Sequence, residues 1–79
     1  MDARGYSLRI VRSNEQADPS NIGVLLGRVC IKKEIPVSEV ASFFSVSNQS
    51  VYNWFSGKGR PRKKIGEKIQ EILDKLNGA

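Results

Sequence analysis

The 79-residue sequence predicts a mainly α protein, a compact helical bundle of four short helices containing a helix-turn-helix, preceded by an N-terminal strand or arm. Three observations predict it. From Ile22 onward the apolar residues recur every three or four positions, the period of a helix with one buried face. Pro19, Pro36 and Pro61 fall at the joints between these runs, where helices start and stop. Ahead of them, GYSLRIVR (5–12) sets Tyr6, Leu8 and Ile10 at alternate positions, the period of a half-buried strand. The chain thus divides into residues 1–17, an arm or strand that is a candidate for dimer pairing, and residues 18–79, the helical domain.

A single strand cannot stand alone, so residues 5–12 must join the chain's own core, pair across a two-fold axis with a second subunit, or form an arm that orders on a partner, with Arg4, Arg9 and Arg12 then offered to a minor groove. SNEQADPSN (13–21) has the turn formers of a linker, and Asp18-Pro19 reads as an N-cap and first helical residue. The first helix is expected from about Pro19 to Lys33, with Ile22, Leu25, Leu26, Val29 and Cys30 on one stripe. Gly23 and Gly27 each weaken it by about 1 kcal/mol relative to Ala, and their spacing of four suits the close approach of another helix. Pro36 opens the second helix, expected from Val37 to about Ser45 with Val40, Ala41 and Phe44 inward. Ser47 is a good N-cap for the third, Asn48 to about Ser56, which turns Val51, Trp54 and Phe55 inward and stops at Gly57. The last is expected from about Arg62 to Leu76, with Ile65, Ile69, Ile72, Leu73 and Leu76 on one face and Asn77-Gly78 ending it. Among the aromatics, Trp54, Phe55, Phe43 and Phe44 are expected in the core.

Composition narrows the function. The chain carries 13 Lys and Arg against 8 Asp and Glu, a net charge of +5 that favours polyanions or an anionic surface. It has no His and one Cys, so the usual zinc sites, His-based acid-base pairs and internal disulfides are excluded, and no cofactor is implied. No apolar run approaches the roughly 20 residues that span a bilayer, and the opening residues lack the order of a signal peptide. A reducing cytoplasm is the expected location. GKG after a helix lacks the strand and spacing of a P-loop, and no carboxylates cluster, so an enzyme is not expected.

The connection between the second and third helices, Val46-Ser47, is too short to let them lie parallel and forces the crossing of a helix-turn-helix. With Ala41 and Val51 facing the core, Asn48, Gln49, Tyr52 and Asn53 fall on the outer side of the third helix. Outward Asn and Gln can pair bidentately with adenine, each such pair discriminating bases by about 1–3 kcal/mol. KGRPRKK (58–64) then places five cations in seven positions. Lys58, Arg60, Arg62, Lys63 and Lys64 suit phosphate contacts, which supply affinity and register but little sequence information. A solvated helix face followed by a solvated basic loop is the plainer alternative.

VSEVASFFSVSNQSVYNWFSG resembles the helix-turn-helix of the lambda-repressor and Cro family, in Ala41, Val46-Ser47, Val51, Trp54, Gly57 and the Pro61 that follows. The resemblance covers about Ile22 to Leu73. It implies a small phage or mobile-element transcriptional regulator binding double-stranded DNA as a homodimer, with half-sites about 34 Å apart, and nucleoid-associated when bound. It implies base contacts from Asn48 and Gln49, base or phosphate contacts from Tyr52 and Asn53, and backbone contacts from Ser47 and Ser50. Three features depart from the family: Ser45 replaces the turn glycine, implying an unfavourable positive φ or another turn, Pro36-Val37 replaces the phosphate-binding start of the second helix, and GYSLRIVR (5–12) lies outside the common pattern. An excisionase-like architectural factor, a homeodomain-like reader and a protein-interaction adaptor without DNA binding stay as alternatives. No small-molecule ligand and no membrane partner are expected.

Overall fold

A computed structural model describes residues 6–78, with side chains through Leu76. Five helices follow one another: α1 (Leu8–Gln16), α2 (Ile22–Lys32), α3 (Val37–Phe44), α4 (Asn48–Ser56) and α5 (Lys63–Gly78). α4 packs against α1, α2 and α3, and α5 lies on α2. No strand occurs among the described residues, and no helix among them is long and apolar enough to cross a membrane.

The expected N-terminal strand is therefore corrected to a helix, and its cause is legible in hindsight. Ser7 caps α1 with its side-chain oxygen, which accepts from the Ile10 amide at 3.3 Å. Ile10, Val11 and Asn14 then turn inward at helical spacing, while Leu8, which strand alternation would have buried with Tyr6, is 56% exposed. The segment offers both periods, alternation through Tyr6, Leu8 and Ile10 and helical spacing through Ile10, Val11 and Asn14, and packing against α2 and α4 chose the helix. Tyr6, just ahead of the cap, is buried, its ring stacked on Phe55 with centroids 6.2 Å apart and its hydroxyl donating to the Ile35 carbonyl. Residues 6–16 thus belong to the chain's own core. Residues 1–5, the start of the expected arm, lie outside the described residues.

The linker also differs. Asp18 accepts from the Ser20 amide at 2.9 Å and so closes a turn rather than capping α2. Asn21 takes the cap, accepting from the Gly23 amide at 2.9 Å, and it also donates to the Gly59 carbonyl at 3.0 Å. α2 consequently begins three residues later than Pro19. At its end Glu34 adopts a φ of 60°, and the Ile35 amide bonds back to the Cys30 carbonyl, closing the helix through a left-handed residue.

Gly23 and Gly27 do provide close helix contact. A Cβ on Gly23 would lie 2.6 Å from the Trp54 Cβ, and one on Gly27 would lie 2.8 Å from the Phe55 Cγ. α2 and α4 therefore meet almost backbone to backbone, and the packing gained there offsets the poor helix propensity of glycine. Asn14 completes the junction. It is buried, and its amide nitrogen donates to the Val24 carbonyl at 3.0 Å and the Phe55 carbonyl at 2.7 Å, joining α1 to α2 and α4.

α5 starts at Lys63, with Ile69 and Leu73 buried and Ile65 and Ile72 half-buried. Leu76, expected inward, is exposed, as is Phe43, whose ring has the Lys68 ammonium 5.8 Å from its centroid. Both lie where the short bundle offers nothing to cover them. Trp54 and Phe55 are buried as expected, and Phe44 packs edge-on against Trp54.

Candidate nucleic-acid interface

Between α3 and α4 the chain has three residues. Ser45 takes a φ of 58°, so the unfavourable left-handed turn that its identity implied does form, with the Val46 amide bonded to the Ala41 carbonyl at 2.9 Å. Ser47 caps α4, its side-chain oxygen accepting from the Ser50 amide at 3.1 Å and lying 3.1 Å from the Ser50 hydroxyl. Val51, Trp54 and Phe55 then fix the rotation of α4 about its axis, because all three are buried.

That rotation sets the outer side. Ser47, Asn48, Gln49 and Tyr52 are exposed, whereas Ser50 and Asn53 are half-buried. Gln49 donates to the Asn53 side-chain carbonyl at 3.1 Å, so the two amides form one bonded unit on the surface. A side-chain pair of this kind, four apart on an exposed helix, holds its members by only a few tenths of a kcal/mol. Both amides can therefore be redirected to a ligand.

α4 ends at Gly57, with φ 83°, and the basic segment that follows is anchored at its glycines. The Gly59 amide bonds to the Asn53 carbonyl at 3.2 Å while its carbonyl accepts from Asn21. Lys58, Arg60, Arg62, Lys63 and Lys64 all stay exposed. Near Arg60, the Asp18 carboxyl is held below its usual value, chiefly by the Ser20 amide and hydroxyl and more weakly by the Arg60 charge.

Two shallow grooves run along α4. One, shared with α1, gathers Gln49, Tyr52, Asn53 and Lys58 with Ser7, Arg9 and Ser13. The other, bounded by the α3–α4 turn and the start of α5, gathers Ser50, Arg60 and Arg62. Ser47, Asn48, Lys63 and Lys64 line neither. Arg9 was missed as a neighbour of α4 because a strand at residues 5–12 places it elsewhere; reading Ser7 as an N-cap would have found it.

Elsewhere, among the described residues, no buried side-chain nitrogen or oxygen lacks a hydrogen-bond partner. Arg28 donates to the carbonyls of Asn14, Glu15 and Ala17 at the end of α1, where the helix dipole favours a cation. Burial pushes the Cys30 thiol up to about 11, with the Glu39 charge adding to it, so little reactive thiolate exists near neutral pH. Among the described residues, no three His, Cys, Asp or Glu side chains are grouped so as to hold a metal ion.

Compared with models of protein families, with curated proteins and with solved structures, the chain matches none. What α4 can do therefore follows from its own side chains. An exposed row of amides and a phenol, set on a helix whose other side is core and followed by five exposed cations, suits an ordered polyanion with hydrogen-bonding edges.

Proposed function

We propose that this protein binds double-stranded DNA sequence-specifically, as a small transcriptional regulator of repressor or Cro type. α3, the Ser45–Ser47 connection and α4 act as the helix-turn-helix, and α4 enters the major groove. Asn48, Gln49, Tyr52 and Asn53 read base edges; Ser47, Ser50 and the cations from Lys58 to Lys64 hold phosphates. The observation that carries this reading is the exposed amide face of α4, displayed because Val51, Trp54 and Phe55 are buried behind it. A single reading helix covers few base pairs, so the chain acts as a homodimer on two half-sites about one turn of DNA apart. Since residues 6–16 are part of the core, a strand shared across a two-fold axis is not the route to that dimer.

The test is selection from a random duplex library, followed by a salt titration on the winning site. A palindromic consensus and a slope of log K against log salt near −4 are expected. Absence of enrichment, together with salt-insensitive or absent binding, would reject the reading.

A second reading, a protein-interaction adaptor, is favoured by one observation. An apolar groove lined by Leu26, Ile35, Val40, Phe43, Phe44 and Ile72 opens to the surface between α3 and α5, with Phe43 60% exposed. Retention on heparin separates the two readings, because the groove offers a polyanion nothing.

A further inference from the structure

The recognition chemistry proposed above is confined to α4 and the segment after it, but Arg9 of α1 lies in the same groove as Gln49, Tyr52 and Lys58. Its position sets it apart from Arg28 of α2: Arg28 turns its Nη2 to three carbonyls at the end of α1, whereas Arg9 is exposed. None of the residues lining the Arg9 groove is acidic, and none of those lining the groove on the other flank of α4 is either. Each flank of α4 thus carries positive charge, Arg9 and Lys58 on one side, Arg60 and Arg62 on the other, with the Asp18 carboxylate near Arg60 but outside the groove lining.

The dimensions of DNA give this arrangement a meaning. A helix with its side chains is about 10–12 Å across and the major groove is about 12 Å wide, so a helix seated there fills it from rim to rim. The two rims are the phosphate backbones of opposite strands. Cations on one flank only would pull the helix against one rim; cations on both flanks centre it.

We infer that Arg9 is a phosphate-binding residue, and that α1 on one flank and Arg60 with Arg62 on the other clamp opposite strands of one duplex while α4 lies between them. Lys58 shares the strand held by Arg9, and Arg60 and Arg62 hold the other. α1 is then part of the binding surface as well as of the core, which the helix-turn-helix resemblance, beginning at Ile22, does not include. The serines beside Arg9, Ser7 and Ser13, add hydroxyl donors along the same rim.

This inference rests on the DNA-binding reading, and its test separates the two. The full chain is compared with Arg9→Ala, Arg9→Lys and Arg60→Ala on a random-sequence duplex and on the selected site, in each case across a salt series. Arg9→Ala is expected to weaken both complexes by a similar factor, roughly five-fold, and to lower the salt slope by about 1; Arg9→Lys restores the slope. Thermal melting of Arg9→Ala should match the parent, because the side chain is exposed. Single methylphosphonate substitutions along the selected site then locate each contact. The phosphate whose neutralisation no longer matters to Arg9→Ala should lie on the strand opposite the one identified with Arg60→Ala. A slope unchanged by Arg9→Ala, or both phosphates on the same strand, overturns the clamp while leaving DNA binding intact. Failure of the parent chain to bind any duplex rejects both.

Discussion

The inner and outer faces of α4 come from the same nine residues, yet the inner face is held by close packing while the outer face is left open. Inward, Val51, Trp54 and Phe55 are buried, the last two against glycines whose replacement has no room, and Asn14 pins the last turn through the Phe55 carbonyl. Outward, Asn48, Gln49 and Tyr52 are exposed and held by little more than one amide pair. The lesson is a division of labour along a radius: the inner face sets where the outer face points, and the outer face is free to carry specificity without stabilising the fold. Changes inside should cost stability first, and changes outside should cost binding alone.

Asn14→Ala should show the largest effect. It strips hydrogen bonds from two buried carbonyls and leaves a void, a loss of about 3 kcal/mol that lowers the melting temperature by more than about 10 °C. A change of only a degree or two would mean that Asn14 does not tie the inner face together. Gly23→Ala comes next. Overpacking against the Trp54 Cβ costs about 3 kcal/mol and the better helix propensity of alanine returns about 1, for a net loss near 2 kcal/mol in denaturant unfolding. A stabilised variant would show that α2 and α4 meet more loosely than the contact distance implies.

On the outer face, Gln49→Ala should leave the unfolding curve within about 0.5 kcal/mol of the parent. It should cost about 1.5 kcal/mol of affinity for the preferred duplex and little on random DNA, as a base contact would. Equal loss on both duplexes would remove Gln49 from base reading. Lys63→Ala with Lys64→Ala should weaken binding to any duplex and flatten the salt slope by about 2, measured by fluorescence anisotropy; an unchanged slope would place those lysines off the DNA. The smallest expected effect is at the border of the two faces. Ser47→Ala removes the cap of α4 for about 1 kcal/mol of stability and weakens DNA binding slightly, because the first turn carrying Asn48 and Gln49 frays. Loss of affinity with no loss of stability would move Ser47 wholly to the outer face.

How much of this was legible in the sequence depends on how local each feature is. α3 and α4 were readable nearly to the residue, since Pro36, Ser47 and Gly57 are local signals that act on their own helices. The side of α4 that faces outward was readable too, because three large apolar residues leave the rotation no alternative. α1 was not. Tyr6, Leu8 and Ile10 alternate as a strand does while Ile10, Val11 and Asn14 keep helical spacing, and the deciding partners of this segment, Phe55 for the Tyr6 ring and Val24 and Phe55 for the Asn14 amide, lie outside it. The start of α2 was misplaced for a similar reason. Asp18 and Asn21 are equally good caps, and Asn21 prevails with a second hydrogen bond, to Gly59 across 38 positions.

The sequence by itself determined the helical class, the capped α4 with its apolar inner and polar outer sides, and the run of cations behind it, because each follows from the identities of residues within one or two turns. Only the tertiary structure decided that residues 8–16 are a helix in the core, that Leu76 and Phe43 stay outside, and that Arg9 stands beside Gln49 and Tyr52. Those outcomes depend on which surfaces meet when five short helices share one small core, and a contact between residues forty positions apart leaves no periodic trace in either segment.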